Sequence, residues 1–302
     1  MRRLPFLGIA LVLTAAGCAA PGESPSSSTS LPPSSDAFTA RAEAVAAAWP
    51  GAGGFVPLQA LLVVPSGLSD EQRTAVDAGW FTLDGQLPAE PPSGEVVFAD
   101  GSEKLPLIGA AEAYALIDQG DPPPCEPAQG KPSAGGGPDS PVSGAGGACT
   151  RLPVTGATPG TVPLRTGRGD ATVPAWLFTV RGLTAPIARV AVAPSAITEA
   201  PSPSLAPPDR ELAATLKGAQ SLARVDGTTV DFRLGVGACD EQITPLVYET
   251  EALIVLGGSA TSSAEMCTEQ LVLAPVSVTL AAPAGARTVL DAQTGQAVIL
   301  QP

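Results

Sequence analysis

The 302-residue chain contains no histidine. A Ser-His-Asp triad, a Cys-His pair and an imidazole-ligated zinc site are therefore excluded by composition. Lysine is scarce as well: Lys104, Lys131 and Lys217 are all there is, and none stands in an SxxK arrangement that a Ser-Lys dyad would need. Gly130-Lys131 runs into Pro132, so it is no phosphate-binding loop. CxxC spacing and calcium-loop patterns are absent, and no metal or other cofactor is expected. Basic residues number 16 against 29 acidic ones, giving a net charge of -13. That excess repels phosphate backbones and anionic headgroups, which excludes nucleic acid as a partner. Aromatic residues make up only 4% of the chain, so its core is built from Val, Leu, Ile and Ala. Trp49, Trp80 and Trp176 are expected to anchor that core rather than to form a sugar-stacking platform.

What remains for chemistry is carboxylate. Glu249 with Glu251, and Asp240 with Glu241, are the densest acidic pairs beside predicted strands. Facing carboxylates can hydrolyse glycosides, but residues two apart on a strand share one face, the pattern of a solvated surface. Arg168-Gly169-Asp170 falls in a predicted hairpin turn, where Gly and Asp are favoured for backbone reasons. No enzymatic activity is expected.

The amino terminus does carry a pattern. Arg2 and Arg3 precede an apolar run from Leu4 to Leu13, and Ala15-Ala16-Gly17 lead into Cys18. This is the layout of a secretory signal, too short for the roughly 20 residues of a spanning helix. It resembles the lipobox of bacterial prolipoproteins, with Ala15 where that family most often has leucine. The resemblance implies cleavage before Cys18, acyl chains (diacylglycerol and palmitate-type) on that residue, and a mature chain of 285 residues anchored on the extracytoplasmic face of the cell membrane. Loss of Arg2 and Arg3 takes its net charge from -13 to -15. Membrane attachment then rests on the lipid rather than on basic residues. In its wealth of Ala, Gly, Pro and Arg and its lack of asparagine, the chain is also similar to uncharacterised cell-envelope lipoproteins of actinobacteria, the high-GC Gram-positive bacteria.

With Cys18 acylated, Cys125, Cys149, Cys239 and Cys267 remain, an even number that reads as disulfides in an exported protein. Three pairings exist; Cys125 with Cys149 and Cys239 with Cys267 close the short loops. Each would contribute about 3 to 4 kcal/mol by loop entropy.

Composition divides the chain into a signal peptide (1–17), an acylated cysteine with a Ser/Pro/Gly tether (18–35), a small α+β domain (36–120), a Gly/Pro-rich, disulfide-closed loop (121–150) and a β-rich remainder (151–302) with a Pro/Ser-rich link at 194–208. In the first domain, Phe38, Ala42, Val45, Ala46 and Trp49 stand at helical spacing ahead of Pro50. Phe55 to Val64 reads as a buried strand, Ser69 as the start of a second helix, 80–83 and 95–98 as strands, 100–108 as a hairpin return, and 110–118 as a helix. Further on, strands are expected at 162–165, 171–180, 187–193, 220–225, 228–236, 246–256, 269–280, 287–291 and 297–301. A short helix capped by Asp209 should stop at Gly218. The fold class is an α+β N-terminal unit followed by mainly antiparallel β, as a sandwich or partial barrel.

These readings point to a lipid-anchored, non-catalytic binding or scaffolding module whose partner is an envelope protein or ligand. The alternatives are a carrier or delivery lipoprotein for an apolar ligand and a histidine-free hydrolase using carboxylates. Facing carboxylates in a pocket would favour the hydrolase, and a dry apolar cavity would favour carriage.

Overall fold

The computed structural model describes residues 35–90, 92–121, 150–262, 268 and 270–301. The signal peptide, Cys18, the tether to residue 34, Cys125, Cys149, Cys267 and the loop between 122 and 149 lie outside them.

Helix α1 (Ser35–Ala48) forms where the apolar spacing places it. Phe38, Ala42 and Val45 are buried, and Pro50 lies just beyond its end. Asp36 falls in the first turn, where a negative charge complements the helix dipole. Helix α2 (Asp70–Asp77) carries a full capping box: the Ser69 hydroxyl accepts from the Gln72 N–H, and the Gln72 side chain accepts from the Ser69 N–H. Helix α3 (Ala110–Ala115) buries Ala110 and Ala113.

Seven strands make the first sheet. They are β1 (Leu62–Val63), β2 (Phe81–Leu83), β3 (Val96–Phe98), β4 (Gly101–Glu103), β5 (Leu152–Thr166), β6 (Gly169–Val180) and β7 (Ile187–Val190). Strand β6 is its centre. From Val154 onward β5 runs antiparallel along one edge of β6, while β7 and β3 share the other. Both faces of β6 are covered, so its middle reads as a continuous apolar run. Trp176, Phe178 and Val180 pack with Ala75, Val76, Ala110 and Ala113 beneath α2 and α3. Ala171, Val173 and Ala175 pack with Phe55, Val96 and Phe98 on the opposite side. The Trp176 indole N–H donates to the Ile108 carbonyl at 3.0 Å, and Tyr114 meets the Phe178 ring edge-on. Burial and the neighbouring Asp118 push the Tyr114 phenol up to about 12.

Helix α4 (Arg210–Thr215), capped by the Asp209 carboxylate at 2.8 Å from the Leu212 nitrogen, leads into the second sheet. Its strands are β8 (Leu216–Asp226), β9 (Thr229–Gly237), β10 (Asp240–Glu249), β11 (Leu253–Ser262), β12 (Leu271–Thr279) and β13 (Thr288–Asp291). The order β10-β11-β8-β9-β12, with β13 parallel to β11, curls into a half-barrel. Its interior is filled by Leu222, Phe232, Leu234, Ile254 and Leu256. On the other face of β11, Leu253 and Val255 receive Phe38, Ala42 and Val45 of α1.

The fold class is thus mainly antiparallel β with an N-terminal α+β portion. The division at 36–120 and 151–302 needs correction. Strands of two or three residues cannot close a core alone. Accordingly β1 pairs with β7, β2 with β5 and β3 with β6, all in one sheet that spans both proposed domains. Helix α1 packs on the other sheet. The first sheet with α2 and α3 is therefore a lobe inserted between α1 and the remainder of a second lobe. Two crossovers join them, side by side where the Thr198 N–H donates to the Phe55 carbonyl at 2.9 Å.

Several expected elements also differ. Phe55 to Val64 forms isolated bridges and the two residues of β1, because Pro57 and Pro65 cannot donate to a ladder. Strand β5 begins ten residues before Val162, at Leu152. Pro159 and Pro163 are tolerated there because β6 is the one described strand that flanks this stretch, leaving the other edge open. Gly218 ends no helix; it lies within β8, opposite Gly257. The run 246–256 is two strands folded back at Thr250, whose hydroxyl accepts from the Leu253 N–H at 2.9 Å. The expected strand at 297–301 reduces to isolated bridges at Ala297 and Leu300.

Candidate functional site

The lobes meet around the β5–β6 hairpin. Arg165, 1% exposed, donates through Nη1 to Asp170 at 3.0 Å and through Nη2 to the Arg287 carbonyl at 2.9 Å. The Thr288 hydroxyl donates to the Gly167 carbonyl, and the Leu300 N–H donates to the Leu58 carbonyl at 2.7 Å. Arg287 is held on its own lobe by Glu249, at 2.7 Å, and by the carbonyls of Ala282 and Pro283. Burial alone would raise the Glu249 pKa. The Ala281 N–H and the Arg287 guanidinium outweigh it and hold the carboxyl below its ordinary value.

Beside this contact lies an open cleft of about 440 Å³. One wall is Gly167 and Arg168 at the hairpin tip together with Asp100. The facing wall is Ala252, Leu253 and Thr288 of the second lobe, and the end is closed by Trp49 and the crossover that follows it. Arg168 is fixed on every side. Its guanidinium carbon sits 3.9 Å from the centre of the Phe98 ring, Nη2 is 2.8 Å and Nε 3.4 Å from the two Asp100 oxygens, and Nη1 is 3.3 Å from Glu103. Such a stacked, forked arginine has spent its conformational freedom before any ligand arrives. Gly167 keeps the wall close to the crossover, since a Cβ there would lie 2.4 Å from that of Ala52. A second groove of about 350 Å³ borders the other crossover, with Ile197, Pro201 and the half-exposed Ile299 along it.

The residues singled out in the sequence are scattered by the fold. Arg168 and Asp170 both lie in the hairpin but are committed to different partners, Arg168 to Asp100 and Glu103, Asp170 to Arg165. Glu249 ends β10 and Glu251 sits in the following turn, so they do not share a strand face, and Glu249 is an ion-pair partner rather than a solvated carboxylate. Asp240 is nearly buried against Lys217 at 2.6 Å and also accepts from the Gly237 N–H, while Glu241 is exposed. Trp176 and Trp80 belong to the core of the first lobe, as expected. Trp49 departs from that expectation: it is only partly buried against α1's neighbours and lines the cleft. Its place in sequence, at a helix end directly before Pro50-Gly51-Ala52-Gly53-Gly54, is the signal that separates it from the other two.

Among the four cysteines outside the signal, Cys239 lies in the described residues and is disulfide-bonded. The sheet register bears on its partner. Gly237 pairs with Leu271 and Asp240 with Ser262, so the connection from β11 to β12 starts and ends against the turn that holds Cys239. We therefore expect non-reducing peptide mapping to recover Cys239 linked to Cys267, leaving Cys125 with Cys149, whose flanking residues Asp121 and Arg151 are ion-paired at 3.1 Å. A peptide joining Cys239 to Cys125 or Cys149 would contradict both pairings.

No protein-family model, curated protein or solved structure matches this chain, so the cleft is read from its own chemistry.

Proposed function

We propose that this chain is a lipid-anchored cell-envelope protein that works by binding, without catalysis, and that its ligand or partner occupies the cleft between the lobes. The cleft itself carries the reading. Concave sites at the junction of two lobes are where ligands are preferentially held, and this one combines an indole with a pre-fixed Arg168–Asp100 pair. Anchorage follows from the lipobox resemblance at Cys18. It would bear on the second lobe first, because the chain leaving the tether enters α1, which is docked there. The two other functions have less support. The half-barrel interior is packed by side chains such as Phe232 and Leu234, which disfavours carriage of an apolar ligand. Glu249 is engaged with Arg287, which disfavours a carboxylate hydrolase at that acidic pair.

Wild-type protein is expected to partition into detergent, and Cys18→Ala to leave an uncut precursor. A mature form found in the aqueous phase with an unmodified amino terminus would refute the anchor. For the cleft, a photo-crosslinking residue at exposed Ala286 in intact cells is expected to give an adduct that is not seen from Leu271, an exposed site on β12. The same adduct from both positions, or from neither, would refute binding in the cleft.

A further inference from the structure

We infer that the ligand of the cleft is an uncharged sugar ring, a neutral glycan segment of one or two units. The inference rests on the binding reading above and follows from the charges and surfaces that meet at Trp49. An anion would have to take Arg168 away from Asp100 and Glu103, in a protein whose net charge is -13. A cation would face carboxylates already paired with Arg168, and would be repelled by that guanidinium. A wholly apolar ligand would strip water from the same ion pair and return nothing for it. A polyol does neither.

An ionised carboxylate offers about four lone-pair sites. Arg168 approaches each Asp100 oxygen once, at 2.8 and 3.4 Å, so acceptor capacity remains for ligand hydroxyls, and the Asp100 side chain is about half exposed. Phe98 has one ring face covered by Arg168, which leaves Trp49 as the aromatic surface offered to the cleft. The C–H face of a pyranose lies flat on an indole while its edge hydroxyls reach a planar Arg–carboxylate pair. Ala46 and Leu253 extend the apolar strip beside Trp49. The volume, about 440 Å³, lies in the range of small-molecule sites.

The test uses the mature acylated protein in detergent micelles and three trimers of matched size: N-acetylated chitotriose, which is neutral, its deacetylated cationic counterpart, and anionic trigalacturonate. Chitotriose is expected to bind and the charged trimers to bind more weakly or not at all. Trp49→Ala should weaken chitotriose binding by about tenfold or more. Trp49→Phe, which keeps a ring, should retain most of it, and Asp100→Asn should weaken it with the fold intact. A melting temperature recorded for each variant separates loss of the site from loss of the fold. Affinity unchanged in Trp49→Ala, or no chitotriose binding up to about 10 mM, would overturn the inference. Preference for a charged trimer, lost on changing Trp49, would overturn the uncharged ligand and leave the cleft as a site for a charged sugar. The Ala286 adduct tests the binding reading independently of any sugar.

Discussion

Arg41→Ala is expected to lower unfolding stability by about 3 to 5 kcal/mol, because it removes a buried charge-bearing side chain and strands the groups it serves. Arg41 is 8% exposed and donates to three carbonyls: Nε to Ala292 at 2.9 Å, Nη1 to Ala206 at 2.7 Å and Nη2 to Gln293 at 2.6 Å. One side chain thereby ties α1 to the segment after β13 and to the return crossover. Burial lowers its pKa, and the field of Asp291 pulls the other way. Asp291 is itself held by the Ala219 N–H and by the N–H and hydroxyl of Thr294. Arg41→Met, which keeps the aliphatic stem, isolates the polar part: it should recover the packing of α1 but not the three hydrogen bonds. Denaturant unfolding of both variants checks the result. If Arg41→Ala unfolds within about 1 kcal/mol of wild type, α1 is held by Phe38, Ala42 and Val45 alone, and the second lobe does not depend on it. Loss of α1 would also free the tether from the lobe, so proteolysis between residues 35 and 50 should rise in the same variant.

Arg41 also shows where sequence reasoning reached its end. Local signals were legible because their physics is local. The capping box at Ser69 and the Asp209 cap stand where short-range rules place them. The glycine-marked hairpins turn a residue or two from the expected positions, at Gly227-Thr228 between β8 and β9 and at Gly167-Arg168 between β5 and β6, with Asp226, Gly169 and Asp170 drawn into the strands. Element ends were less legible where two signals compete. Gly218 looks like a helix stop, yet it lies within β8, opposite Gly257, where the ladder continues through it. The run through Thr250 is apolar on both sides of its turn, so pattern alone joins two strands into one. The lobe assignment was not legible at all. The stripe of α1 announces a buried face, and nothing in residues 35–50 states that its partners are Leu216, Val255 and Leu290. The cleft was hidden for the same reason. It gathers short pieces near residues 46–52, 100, 167–168, 252–253 and 286–288, none of which is a motif alone. Trp49 reads as the last member of an apolar stripe until the crossover beside it is seen to turn toward the other lobe.

Gly169→Ala should have the largest effect of any small substitution at the lobe contact. Gly169 has φ +80°, in the left-handed region that costs a residue with a Cβ about 1 to 2 kcal/mol. A Cβ there would also lie 2.1 Å from the Gly285 carbonyl oxygen and 2.7 Å from the Ala286 Cα. Both obstacles are backbone, so no rotamer change relieves them, and overpacking of this kind adds about 1 to 3 kcal/mol. The total, about 2 to 5 kcal/mol, falls on the contact between lobes. The hairpin tip must draw back from residues 284–288, which breaks the Arg165 bond to the Arg287 carbonyl and the Thr288 bond to Gly167. Gly182→Ala is the control: its φ is +86° and nothing lies within 4 Å of the added methyl, so it carries the backbone strain without the clash. Gly169→Ala is expected to be less stable than Gly182→Ala by about 1 to 3 kcal/mol and to unfold in two steps, one per lobe, where the control unfolds in one. It should also lose the Ala286 photo-adduct, because Arg168 moves with the hairpin while Ala286 stays on the second lobe. Equal stabilities for the two variants would mean that the lobes already part freely in solution, and that the cleft between them is one position of a hinge rather than a fixed site.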